Sequence, residues 1–405
     1  MPEQSFLHRN RSFTFVIASM FLSRIGDAIM TVAVLWAVYA ETKSALALSA
    51  VTVLQTVAFI FSSIYIGAKL DQLDTKKYMI LAHLSSGIIV FLLAFSWHFE
   101  FYRLGFLYLF VFLLAATSAV VPSSYQIVIK KIVDERDLVT ANSWLVMGRD
   151  ISNLVGLLLG GSIVAILGTT FAFVGNAISF VLAAILVLFA RIPFIPPKKE
   201  KETVGLIKEM ISYLWHSNVL LKQSLWYVVM INFVLTPINM LMTMISERSS
   251  FQSMGLGIMA GCLALGSLTG ALFSRKVADR FQHISIIPIL ITLAALFSFL
   301  PVVLSHLWLI GLIPLYFCGI CLSLSLIISN TFFTKNTDTD MMGRISSFRS
   351  IAVRVPPPLV SVMFGALVSL LGITAATLIV QLTGATLSFA ILLWYRKRVE
   401  NPSNV

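Results

Sequence analysis

The sequence predicts an all-α integral membrane protein with twelve transmembrane helices in two pseudo-symmetric halves of six. Three observations lead to this fold class. The chain of 405 residues is 58% hydrophobic and only 12% charged, whereas soluble domains average about 25% charged residues. Its apolar residues form long runs of the length that a helix needs to cross a bilayer, about 20 residues. A basic stretch with several prolines separates the first six runs from the last six.

Each apolar run is predicted to be a helix, because a backbone in lipid must satisfy its own hydrogen bonds. Strands of a membrane barrel would be shorter and would alternate in polarity. The first run is too long for the apolar core of a signal peptide, so we expect it to be retained. The predicted spans are 13–40, 46–68, 78–97, 105–128, 140–167, 169–191, 222–247, 254–276, 284–304, 307–330, 345–371 and 373–395.

The longest polar stretch divides the chain into predicted domains. We expect a six-helix bundle over 1–191, a cytoplasmic linker over 192–221 and a second bundle over 222–405. The linker carries Pro193, Pro196 and several lysines, and proline interrupts helices.

Basic residues predict the orientation. Counted in alternate loops, 22 Lys and Arg residues lie on one side and three on the other. The basic side of a membrane protein faces the cytoplasm. We therefore expect a multi-pass protein of the cell membrane, most simply a bacterial plasma membrane, with both termini cytoplasmic. Nucleic-acid binding is not expected, since the basic residues are scattered rather than clustered.

Two motifs recur in the two halves. The segment 67–77 after span two resembles 275–281 after span eight. The segment from Asp134 to Trp144 matches that from Asp338 to Phe348 in spacing and in position before a span. Internal repeats of this kind are typical of transporters with a site between related halves.

These residues resemble the major facilitator superfamily, and the resemblance covers essentially the whole chain. The cytoplasmic signature of that family, between helices two and three, is a glycine, an aspartate four residues on and then a basic pair. The matching residues here are Gly67, Asp71, Lys76 and Lys77, while Asp74 and Thr75 depart from the fuller pattern. The resemblance implies that the four matching residues act in conformational gating.

A glycine motif in span five points to a branch of that family. Gly156, Gly160 and Gly161 resemble the antiporter signature of drug exporters, with Leu157 where proline is usual. The pattern of Asn142 and Ser143 in one half and of 343–347 (Gly-Arg-Ile-Ser-Ser) in the other is most similar to the branch that contains macrolide and siderophore exporters. The three glycines are therefore gating candidates, although ordinary close helix packing would need the same residues.

Ionisable residues inside spans are costly and mark functional sites. Arg24 and Asp27 lie near mid-membrane in span one. They share one face of the helix, because residues three apart lie on the same side. Asp27 is the candidate proton carrier, since conformation can change the protonation of a carboxyl group near a cation. The alternative is a permanent Arg24–Asp27 ion pair that only fixes the bundle.

The remaining polar residues of the spans are candidates for substrate binding. Four arginines against two aspartates leave an excess of two positive charges, which favours an anionic or zwitterionic substrate. Consecutive residues diverge around a helix, so the sequence does not predict a contact between Arg149 and Asp150. Neutral amides could instead bond between helices. The substrate-binding candidates are Arg24, Arg149, Asp150, Asn153, Tyr125, Asn232, Asn239 and Arg354.

The sequence-based hypothesis for function is a secondary active exporter that moves a small organic molecule by proton antiport and alternating access. A metallophore or siderophore is the best substrate guess. Alternatives are a multidrug or macrolide efflux pump, a lysophospholipid flippase and a non-transporting membrane receptor. No cofactor, metal or catalytic residue is expected, since Cys318 and Cys321 have no second ligand pair and no phosphate-binding loop occurs. The expected partners are the solute, protons and the bilayer, and we expect a monomer.

Overall fold

The computed structural model is helical throughout its main elements. It describes residues 9–70, 74–101, 103–119, 121–134, 137–193, 219–249, 251–280, 284–304, 308–337, 345, 349 and 352–400. Over these residues the chain forms twelve α-helices, numbered here in chain order. They are α1 (Arg11–Thr42), α2 (Ala45–Leu70), α3 (Thr75–His98), α4 (Arg103–Ser118), α5 (Val121–Ile132), α6 (Leu138–Leu167), α7 (Thr169–Phe189), α8 (Val219–Glu247), α9 (Gln252–Arg280), α10 (Ile286–Val303), α11 (Trp308–Lys335) and α12 (Pro356–Glu400).

Most of the described helices have the length and hydropathy of membrane spans. Ten segments in the described residues are long and apolar enough to cross a bilayer, and α4 is a shorter apolar helix. One of the ten, Ala352–Tyr395, is long enough for two spans and bends at Gly372. The predicted all-α membrane fold is therefore confirmed.

The predicted single span over 105–128 is wrong in detail. The helix ends at Ser118, and α5 begins at Val121. Pro122 explains the break, because proline has no N–H to bond to the carbonyl one turn earlier and restricts the residue before it.

The chain divides into two compact units. In the first, α1 packs on α6 and α7, and α7 packs on α3; in the second, α12 packs on α8 and α10, and α11 packs on both of these. The first unit comprises Met1–Lys43, Val53–Lys198 and Ser250–Gly261; the second comprises Ser44–Thr52, Lys199–Ser249 and Cys262–Val405. The predicted linker lies mostly outside the described residues, and the predicted domain boundaries stay a prediction.

A shared backbone turn supports the internal repeat. Gly168 links α6 to α7 with φ 89° and ψ 168°, and Gly372 divides α12 with φ 80° and ψ 167°. Glycine adopts this positive φ without the steric cost that a side chain brings. The two glycines are 204 residues apart, as are Asp134 and Asp338 of the repeated motif.

Asp74 begins α3. Its carboxylate accepts hydrogen bonds from the backbone N–H of Lys76 at 3.1 Å and of Lys77 at 3.3 Å, which is the geometry of a helix N-cap. Asp74, which departs from the signature pattern, therefore has a local structural role as the cap of α3.

We expect Asp74→Ala to lower the free energy of unfolding by about 1 kcal/mol, the usual value of an N-cap. Asp74→Asn keeps the accepting oxygen and should retain most of that stability. Thermal unfolding of the purified protein in detergent measures both. Equal loss in the two variants would assign the effect to the Asp74 charge, which lies 3.7 Å from Lys77 Nζ, rather than to the cap.

Candidate functional site

Arg24 and Asp27 lie in the middle of α1. They are about 20 and 24 Å from its first residue, in a helix about 48 Å long. Both are half-buried. Among the described residues, neither side chain has an ion-pair partner within 4 Å or a hydrogen bond. The alternative of a permanent ion pair between the two is thus not the arrangement in this structure.

A close helix contact lies beside Asp27. A Cβ on Gly26 would overlap Asn176 Oδ1 and Ser179 Oγ of α7, so only glycine allows α1 and α7 to approach so closely. Ser179 donates to the Asn176 backbone carbonyl at 2.8 Å. The Asn176 amide nitrogen is buried and has no hydrogen-bond acceptor among the described residues. Sequence reasoning assigned no role to Gly26 or Ser179.

Tyr125 is buried in the first unit rather than exposed to solvent. It is 2% exposed, and its hydroxyl lies 3.2 Å from Ser19 Oγ and 3.2 Å from His83 Nε2. In this conformation the hydroxyl predicted to meet substrate is already engaged by protein groups. Its role in substrate binding stays a prediction.

His83 is a residue that sequence reasoning passed over. The sequence gave no reason to assign it a role, because it lies near the end of a predicted span and has no metal-ligating residue close to it in the sequence. In the structure it lies eight residues into α3, about 12 Å from the helix start, and it is 1% exposed. Its polar partner Tyr125 comes from another helix, and only tertiary structure reveals that proximity.

Arg149 and Asp150 form an ion pair on the exposed face of α6. The Arg149 Nε atom lies 3.0 Å from Asp150 Oδ1, although the sequence does not predict a contact between consecutive residues. The long arginine side chain spans the angular separation. Asn153, one turn on from both, is exposed, so α6 presents these three predicted binding residues together.

The second unit holds the other predicted binding residues in mixed settings. The Asn232 amide donates to the Val228 carbonyl of its own helix at 2.9 Å, while Asn239 is exposed on α8. Arg354 is half-buried and interacts with neighbouring groups. Arg349 donates to Asn330 Oδ1, and its guanidinium lies 4.7 Å from the ring centre of Phe333.

The predicted gating residues of the signature loop are only partly described. Gly67 lies in the last turn of α2, and Asp71 lies outside the described residues. Lys76 Nζ donates to the Leu188 carbonyl at the end of α7 at 2.8 Å, and cations stabilise the carbonyl end of a helix. Lys77 is exposed beside Asp74. Lys76 thus joins the ends of α3 and α7 within one unit.

The glycines of α6 lie at close helix contacts. Gly156 and Gly160 face Ile25 and Ile29 of α1, respectively. A Cβ on Gly161 would lie 2.7 Å from Gly257 Cα in the first part of α9. Gly365, which is 204 residues after Gly161, has the equivalent position in the second unit: its Cβ would lie 3.1 Å from the Ala45 carbonyl oxygen.

Fold and site together define a helical membrane protein that keeps charged side chains within its spans. Residues 16–361 match the family model of the Major Facilitator Superfamily. The chain belongs to this family, and it is therefore a multi-pass membrane transporter rather than an enzyme.

Solved structures of several transporters share the fold. A bacterial homologue of the human lysosomal transporter Spinster, inward-facing and occupied, has a TM-score of 0.74 at 13% identity, covering 96% of this chain and 97% of that one. A bacterial homologue of the iron transporter ferroportin, inward-facing, has 0.69 at 15% identity, with coverages of 95% and 98%. The nucleoside transporter NupG has 0.69 at 15% identity, with coverages of 94% and 98%. A search of curated protein sequences found no match.

We expect Gly161→Ala to destabilise the protein by about 1–3 kcal/mol, because the new methyl group would force the α6 and α9 backbones apart. Gly175→Ala on α7 is the matched control, since nothing lies within 4 Å of its Cβ position. Alanine should there be neutral or stabilising by about 0.5–1 kcal/mol. Thermal unfolding of both variants measures the difference. A Gly161→Ala variant as stable as the unsubstituted protein would contradict the close contact between Gly161 and Gly257.

Proposed function

We propose that this transporter is a proton-coupled exporter of a small anionic or zwitterionic metabolite, of the metallophore type. The observation that carries the proposal is the pair of charged side chains on α1. Arg24 and Asp27 are half-exposed, mid-helix and without an ion-pair partner among the described residues. Charged groups in this state are too costly to face lipid, so they must meet water or solute.

Asp27 is proposed to carry the proton. A carboxylate with no hydrogen-bond donor among the described residues depends on enclosed water and nearby charge for its stability, and both change when a transporter alternates between states. Arg24, three residues away, supplies the nearby charge. Protonation and solute binding at one place would then compete, which is the requirement for antiport.

The charge distribution supports an anionic cargo. In the first unit, Arg24 and Arg149 are balanced by Asp27 and Asp150; in the second unit, Arg349 and Arg354 lie in the predicted span 345–371, whose sequence contains no aspartate or glutamate. The contacts of Arg349 are with neutral partners, the Asn330 amide oxygen and the Phe333 ring. The net positive potential attracts carboxylates and repels cationic drugs.

Export and topology are proposed from the sequence motifs. The glycines Gly156 to Gly161 resemble the antiporter signature of exporters, and the basic loops predict cytoplasmic termini. We propose a bacterial plasma membrane and a monomer as the working unit. Multidrug or macrolide efflux is the alternative outcome of the first experiment below.

Cells lacking this protein should accumulate its cargo. We expect an untargeted comparison of metabolites inside cells and in culture fluid, with and without the gene, to find one carboxylate-rich compound retained in the deleted cells. Unchanged metabolites together with lower resistance to hydrophobic antibiotics would replace the metallophore proposal by drug efflux.

Asp27→Asn should abolish the dependence of cargo flux on an imposed pH gradient, because the amide cannot exchange a proton. The measurement uses proteoliposomes and the radiolabelled compound found by the metabolite comparison. Asp134→Asn, an exposed carboxyl group beyond the end of α5, is the matched control and should retain the dependence. A pH-gradient response in Asp27→Asn equal to that of the unsubstituted protein would remove Asp27 from coupling.

A further inference from the structure

A chain of buried polar groups crosses the first unit. It joins His83 on α3, Tyr125 on α5, Ser19 on α1 and the Ala183 carbonyl on α7. The side chains are 1%, 2% and 0% exposed in that order. Four helices are thus linked through one row of hydrogen bonds, and no role assigned above uses it as a whole.

The direction of this chain follows from the number of available hydrogens. A carbonyl oxygen only accepts, so Ser19 donates its hydrogen to Ala183 at 3.0 Å. Tyr125 must then donate to Ser19 Oγ, because the serine hydrogen is already used. His83 must in turn donate from Nε2 to Tyr125, since the phenol hydrogen is also used. This arrangement alone satisfies all three contacts, and it puts the hydrogen of a neutral His83 on Nε2.

The second ring nitrogen of His83 is left without a partner. Nδ1 is buried and has no hydrogen-bond partner among the described residues. An unsatisfied buried polar atom costs about 1–3 kcal/mol, and a charged ring in this position would be costlier still. His83 is therefore neutral in this conformation.

The groups around His83 contain one carboxylate that can act on the chain. On α7 the Phe180 ring lies 6.0 Å from the imidazole, and on α4 Thr117 bonds to Ser86, one turn along from His83. Tyr125 faces it from α5. From α1, Arg24 and Asp27 both act electrostatically on the Tyr125 hydroxyl. Among the described residues, Tyr125, Arg24 and Asp27 are the titratable or charged groups that interact with His83 or with its hydrogen-bonded chain.

We propose that His83 is a second proton-binding site of the transporter, with Nδ1 as the atom that takes up the proton. It is neutral in the present conformation and becomes protonated in one where the Tyr125–Ser19 contact opens and Nδ1 gains water. The chain through Tyr125 then couples this site to Arg24 and Asp27. The inference rests on the proposed proton-driven transport.

The first test needs no substrate. Protein labelled with 15N-histidine in lipid bilayers is examined by solid-state NMR at pH 7, with His83→Gln to assign the signal. The expected result is a neutral His83 with its hydrogen on Nε2, and a mixture of both neutral forms in Tyr125→Phe, which lacks the accepting oxygen. A hydrogen on Nδ1, or a charged ring, in the unsubstituted protein would overturn the proposal.

The second test separates titration from structure. His83→Gln keeps an N–H donor of similar reach but cannot take up a proton. We expect it to fold as the parent does. The ratio of the highest to the lowest cargo flux between about pH 5.5 and 8 should be at least threefold smaller than in the unsubstituted protein. His98→Gln, an exposed residue at the end of the same helix, should leave the profile unchanged.

The outcomes distinguish the two proposals. A pH-independent flux in the unsubstituted protein would show that proton antiport itself is wrong. A pH-dependent flux that His83→Gln leaves unaltered would show that antiport holds and that His83 only packs.

Discussion

A bilayer offers no hydrogen-bond partner, so every polar group within a span must be satisfied by protein or by enclosed water. Most polar side chains described here obey this constraint locally. Ser23, Asn232 and Thr236 donate to carbonyls of their own helices. Asp27 and Arg24 do not follow the pattern. Their position makes sense only if a polar environment exists there, and both functional proposals depend on this.

The same constraint explains why the fold could be predicted from the sequence. Apolar length is a property of single segments, and it predicted the helices without knowledge of their neighbours. The repeat was visible at Asp134 and Asp338, and the matching turns at Gly168 and Gly372 agree with it. The break near Pro122 was missed because hydropathy averages over a span and does not register one lost N–H.

The candidate site was less predictable, since side-chain partners come from different helices. The roles of His83 and Ser179 depend on residues far away in the sequence, Tyr125 and Gly26. The contact between Arg149 and Asp150 depends on side-chain length rather than on helical periodicity. Sequence reasoning found charged positions because they are rare in lipid, but it could not tell which of them neutralise each other.

The turn at Gly168 also has a mechanical consequence. One residue joins α6 to α7, and such a short tether cannot absorb a sliding of one helix along the other. The same backbone geometry at Gly372 ties together the two arms of α12. Each pair of helices joined by such a turn should therefore move as one rigid body. Any rearrangement must then be accommodated at the helix ends farthest from Gly168 and Gly372.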